Sequence, residues 1–248
     1  MPRPFLILQL RPEADASDGE FNAILDKVGL PPERAHRIRL DCEPLPEGLD
    51  LGAYAGVVVG GGPGCVSDDP ATKPEDEARI ETAILSLMPE ITERDIPFMG
   101  CCYGISILAH HLGTEVSKRR WGEPVGPVQV RREETGDPLL EGFPETFTAL
   151  VGHKEATQAL PPGCVHLLSS DSCPFQMIRY GENVYATQFH PEADGQVFAD
   201  RIRIYKDHGY FDPAEAQALT DQAMAADAGI PPRLLQRFFT RYGENTSA

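Results

Sequence analysis

The chain has 248 residues, 41% of them hydrophobic and 24% charged, which suits one α/β domain with a sizeable core. Its formal net charge of −16 argues against non-specific binding to nucleic acid or to an anionic membrane. No apolar run reaches membrane-spanning length, and the six cysteines match no zinc spacing, so free thiols in a cytoplasmic protein are expected.

Residues 5–10 read as a buried strand, too short and wrongly flanked for a signal peptide. A short helix over 21–28 is ended by Gly29 and Pro31-Pro32. Residues 37–40 give a second strand, and Val57-Val58-Val59 a third that runs into Gly60-Gly61-Gly62-Pro63-Gly64. Pro74 suits the first turn of a helix over 75–93, where Ile80, Ile84, Leu87 and Ile91 form one apolar stripe. A strand over 96–99 follows. Strands alternating with helices predict an α/β fold: an open, mostly parallel sheet with helices on both faces, whose ligands bind beyond the C-terminal strand ends. Short runs over 128–131, 147–151, 166–169, 175–180 and 184–189 predict an additional antiparallel strand region. After Asp194 the pattern is helical over 197–208, restarts at Asp212-Pro213, continues over 216–227 and ends in an amphipathic stretch over 234–239. The expected organisation is one domain over 1–194 and a helical C-terminal extension over 195–248. That extension packs on the domain or binds a partner, packing being the simpler reading.

Two motifs carry chemistry. Pro97-Phe98-Met99-Gly100-Cys101-Cys102-Tyr103-Gly104 reads as strand, sharp turn and helix with a thiol at the turn. Small flanking residues let strand and helix approach around strained backbone, and the helix N-terminus is expected to lower the thiol pKa. The second motif is a strand ending in Gln188-Phe189-His190-Pro191-Glu192, where a period of two puts His190 and Glu192 on one side. A nucleophilic cysteine needs a base, and the base needs an orienting group; Cys102, His190 and Glu192 supply all three types.

With the Gly60–Gly64 turn, these blocks resemble a class I, triad-type glutamine amidotransferase, similar to the glutaminase domain of GMP synthase, over roughly 5–194. The resemblance implies a flavodoxin-like sheet, no cofactor and no metal. It also implies attack of a cysteine on the glutamine side-chain amide, with His190 and Glu192 completing the triad. The family's spacing, with Gly100 and Gly104 bracketing Cys102, makes Cys102 the nucleophile and leaves Cys101 to pack. It implies oxyanion-hole donors from the backbone N–H groups of Tyr103 and of the Gly61-Gly62-Pro63 turn, at Gly62. Gly61, Ser106, His153 and Gln188 are candidate substrate contacts; by position His153 binds the substrate's amino-acid end or is a solvated loop histidine.

The chain departs from the family pattern at Ser106, where the elbow usually continues to Gln, at Gly64-Cys65, and at Gly152-His153-Lys154-Glu155. The expected substrate is therefore glutamine or another γ-glutamyl compound. A pyrophosphate-loop motif is missing after Glu192, so a stand-alone glutaminase-type subunit is expected, with a separate synthetase or acceptor subunit as partner. Ser106 keeps open a γ-glutamyl peptidase or hydrolase with the same triad. A catalytically weak regulatory relative is the third reading, and an intact triad argues against it.

Overall fold

The computed structural model describes residues 2–243. In chain order the elements are β1 (Phe5–Gln9), α1 (Ala14–Val28), β2 (Ala35–Arg39), β3 (Gly56–Val59), α2 (Glu75–Glu93), β4 (Phe98–Cys101), α3 (Tyr103–His111), β5 (Val116–Ser117), β6 (Glu123–Arg132), β7 (Thr146–His153), β8 (Ala156–Thr157), β9 (Cys164–Ser170), β10 (Met177–Tyr180), β11 (Val184–Thr187), α4 (Gly195–Ile204), α5 (Ala216–Ala225) and α6 (Pro231–Gly243). Nine strands form one sheet in the order β2-β1-β3-β4-β11-β10-β9-β6-β7, and β5 pairs with β8 alone.

The sheet is parallel from β2 to β11 and antiparallel from β11 to β7. The antiparallel region is thus a continuation of the same sheet. Alternation sorts each central strand onto two faces. Phe5, Ile7, Val58, Met99 and Tyr185 join α1 and α6 in one core, while Leu6, Leu8, Val57, Val59 and Phe98 join α2 and α3 in the other.

Two expectations are corrected. The strand over 184–189 was expected to pair antiparallel. β11 pairs antiparallel with β10 but parallel with β4, in a register that sets Thr187 beside Cys101. The tight β10–β11 hairpin forces the first pairing, and the open side of β4 takes the second. Helix α1 begins at Ala14, seven residues before the expected start at 21. Its buried face in the first turns is Ala16, Ser17 and Glu20, small or polar residues that make no apolar stripe.

The C-terminal elements pack onto the rest. α4 lies against α1, α5 against β6 and α6 against α1. Phe239 of α6 packs on Phe5 of β1 with ring centroids 4.2 Å apart and the ring planes tilted by 38°. The restart at Asp212-Pro213 is a single 3-10 turn, Pro213–Glu215, and α5 follows it. No helix among the described residues is long and apolar enough to cross a membrane.

Candidate active site

The β4–α3 junction has the geometry its sequence requires. Cys102 sits at φ 56° and ψ −90°, a region that costs a non-glycine residue about 1–3 kcal/mol. It is pinned there: its N–H donates to the Thr187 carbonyl at 2.8 Å, and its own carbonyl accepts from the Ile105 N–H at 3.2 Å. A Cβ on Gly100 would lie 2.9 Å from the backbone of Gly104 and from the Phe98 ring, so only glycine lets β4 and α3 meet here. Cys101 turns away into the core below.

The expectation of a low thiol pKa is corrected. Burial is the largest effect on Cys102 and pushes its pKa up to about 12; nearby Arg11 and Arg201 oppose this and Glu192 adds to it. A thiol raised in this way by burial needs a base to react.

His190 and Glu192 lie beyond the C-terminal end of β11. The His190 N–H donates to the Leu150 carbonyl at 3.0 Å, which fixes the backbone, and ring Nδ1 lies 2.9 Å from Glu192 Oε1. That contact puts the proton on Nδ1 and leaves Nε2 as the basic nitrogen. Burial, the largest cause, lowers the His190 pKa; Glu192 opposes this, and Arg201 and Arg11 lower it further. Glu192 is held well below the usual carboxylate range by Arg201 and His190, despite a desolvation effect that acts upward. Cys102 and His190 line the same cavity, with no hydrogen bond between the sulfur and the ring.

Three further residues that sequence reading did not pick out tie the triad to the glycine turn. Arg201 Nη2 donates to Glu192 Oε1 at 2.7 Å and approaches Glu20 Oε2 at 3.6 Å. Glu20, wholly buried on α1, accepts from Arg11 Nε at 2.9 Å and from the Gly61 N–H at 3.2 Å. A side chain at Gly61 would strike Arg11 and His190 at 2.7 and 2.8 Å. Gly61 therefore packs against this network, with its N–H committed to Glu20, and lines none of the cavity walls around Cys102. The available signals were Arg11 at the C-terminal end of a buried strand and a lone glutamate on a buried helix face.

The cavity has two compartments that meet at Cys102, Gly62, Gly152 and Tyr210. The polar one is lined by Pro63, Gly64, Ser106, Lys154, Glu155 and Gln188, along with Tyr103 and His153, so most sequence-predicted contacts converge there. Gln188 is buried and its Oε1 has no hydrogen-bond partner. Glu155 accepts from the Val66 and Ser67 N–H groups at 3.0 and 2.9 Å and so clamps the loop after the glycine turn. The other compartment holds His190 and is mostly apolar.

His153 is not a solvated loop histidine. It is buried between two acceptors, with Nδ1 2.8 Å from the Glu155 carbonyl and Nε2 2.8 Å from Glu123 Oε2. Glu123 is a hub: it also accepts from the Ser170 hydroxyl at 2.9 Å, from Gln176 Nε2 at 2.6 Å, and from the Ser172 hydroxyl. Hydrogen bonds from His153, Ser172 and Gln176 hold its pKa low against burial. Glu123, His153 and Cys173 bring ligand atoms within 4.8 Å of one another, a spacing that could hold a metal ion. Their hydrogen bonding describes a structural cluster instead, because His153 Nε2 is spent on Glu123 and neither ring nitrogen is left as a base for Cys173.

Residues 35–203 match the family model "Glutamine amidotransferase class-I". The chain therefore belongs to the class I glutamine amidotransferase family. It is similar to GMP synthase [glutamine-hydrolyzing] of Thermosipho africanus, 32% identical over 152 residues that cover 60% of this chain and 26% of the relative. The same enzyme of Streptococcus pyogenes is 31% identical over 150 residues, 59% of this chain and 26% of the relative. The chain spans about a quarter of the length of these curated relatives. A glutamine amidotransferase structure from Thermotoga maritima superposes with a TM-score of 0.76 over 98% of this chain and 100% of that one, at 22% identity. A glutamine amidotransferase from Methylobacillus flagellatus gives 0.74 over 98% and 94%, also at 22% identity. Both share the fold.

Proposed function

We propose that this chain hydrolyses the side-chain amide of glutamine or a close γ-glutamyl relative through a thioester on Cys102. The observation that carries the reading is a strained, pinned cysteine at a strand–helix elbow, sharing a cavity with a histidine whose Nδ1 is held by a buried glutamate. His190 Nε2 takes the thiol proton as sulfur attacks the amide carbon, then gives it to the departing nitrogen. Water attacks the thioester with His190 again as base, releasing glutamate. The backbone N–H groups of Gly62 and Tyr103 are the oxyanion donors in this scheme. Ser106 and Gln188 line the polar compartment for the γ-glutamyl part, and the unpartnered Gln188 Oε1 offers an acceptor to its ammonium group. The ammonia passes to a synthetase acceptor site, as the likeness to glutamine-hydrolysing GMP synthases suggests. The proposed work takes place in the cytoplasm.

The test is to incubate the protein with glutamine and measure glutamate and ammonia, then map the site labelled by a glutamine-analogue alkylator. Label on Cys102 with release of both products supports the scheme; label on Cys101 or Cys173 removes it.

A further inference from the structure

Resting on that reading, we infer that the leaving-group side of this site is built for an amine bearing an uncharged apolar or aromatic substituent. N-substituted γ-glutamyl amides would then be better substrates than glutamine. The argument begins with the placement of His190. Cys102 borders both compartments, but His190 borders only one. The group that protonates the departing nitrogen must lie on the departing side. The γ-glutamyl part therefore occupies the polar compartment, and whatever the nitrogen carries enters the His190 compartment.

That compartment is not shaped for ammonia. It is the roomier of the two, with a cavity volume of about 50 Å³ against about 20 Å³ on the polar side. Its wall is Val125, Phe198, Ile202, Tyr205, Tyr210 and Phe211. Five of these come from α4 and the segment after it, beyond the motifs that carry the chemistry. Its two guanidinium charges are each paired, Arg11 with Glu20 and Arg201 with Glu192, which favours an uncharged substituent, while Arg201 Nε and Nη1 keep no hydrogen-bond partner. An ammonia leaving group would leave this apolar wall facing water, whereas an aromatic or branched alkyl group would cover it.

The chemistry balances without a co-reactant. The γ-glutamyl C–N bond breaks as the Cys102 C–S bond forms, the amine leaves with the proton carried by His190, and water then yields glutamate and free thiol.

The experiment compares kcat/KM for glutamine, γ-glutamyl methylamide and γ-glutamyl benzylamide, whose leaving amines lack the intrinsic activation of an anilide. Benzylamide is expected to exceed glutamine at least tenfold, with methylamide between them. In Phe211→Ala the benzylamide-to-glutamine ratio should fall at least fivefold, a selectivity readout that general loss of fold or activity would not move. Glutamine turnover that equals or exceeds benzylamide turnover overturns the inference and leaves the hydrolase reading standing, as does a ratio unmoved in Phe211→Ala. Turnover of neither substrate, with Cys102 unlabelled by a glutamine-analogue alkylator, overturns both.

Discussion

The two adjacent cysteines differ in what surrounds them. Cys101 points into a core of apolar side chains and Cys102 borders the cavity. Cys102→Ala should abolish turnover and Cys101→Ala should keep most of it, as steady-state assay of both proteins will show. The state of His190 is set by its neighbours in the same way. With its pKa lowered by burial and by Arg201, the ring is still a base below the ordinary histidine pKa of about 6.5. The acid limb of the kcat/KM profile should therefore lie below that value. Replacing Arg201 by Gln removes a cation that disfavours imidazolium, so the limb should move to higher pH, whereas a residue with a purely structural role would lower the plateau without shifting the limb. Arg201→Lys should restore part of the shift. The stability sign runs the other way for Glu192. Its folded pKa is depressed, so its contribution is complete above the usual carboxylate range and is lost as pH falls through the lowered value.

At the scale of elements, what the sequence made legible was what repeats or closes locally. The stripe Ile80, Ile84, Leu87 and Ile91 marked α2 with its observed bounds, and Gly100-x-Cys102-x-Gly104 marked the elbow. What it hid was polar burial. Ser17 and Glu20 sit on the inner face of α1 because Gln9, Arg11 and Arg37 bond to them, and those partners come from β1, the turn after it and β2. Glu123 was equally silent, since its partners His153, Ser170, Ser172 and Gln176 lie 30 to 53 residues further along the chain and meet it only when the antiparallel strands pair. Two predictions belong here. Gly100→Ala forces a methyl group against the Gly104 backbone and should cost about 1–3 kcal/mol by overpacking, visible in denaturant unfolding. Glu123→Gln replaces one carboxylate oxygen by an amide donor that faces two of the four groups donating to Glu123 in a buried site, at a cost of about 3–5 kcal/mol. An unchanged melting temperature for Glu123→Gln would mean that the hub does not hold the sheet end together.

Across the whole molecule, His190 is supported from the far end of the chain. β11 delivers His190, and Asn183, just before β11, accepts from the Tyr242 hydroxyl of α6 at 2.7 Å. α6 also seals the β1 side of the sheet, where Leu234, Leu235, Phe238 and Phe239 are buried beside Phe5 and Ile7. The helix lies beyond residue 203, where the family match ends, yet it completes a core that begins at the first strand. It should therefore melt with the sheet rather than before it. Phe239→Ala removes a ring packed at 4.2 Å from that of Phe5 and opens a core cavity, which should cost about 3–5 kcal/mol. For a chain of this size each kcal/mol lowers the melting temperature by about 2–4 °C, so a loss of roughly 6–20 °C is expected. Because α6 touches neither compartment of the cavity, kcat/KM of the folded variant well below its melting temperature should match that of the parent. Calorimetry of the variant should show one transition displaced as a whole. A separate early transition for the C-terminal region would instead make α6 an independent satellite, and the buttress to β11 would have no part in holding His190.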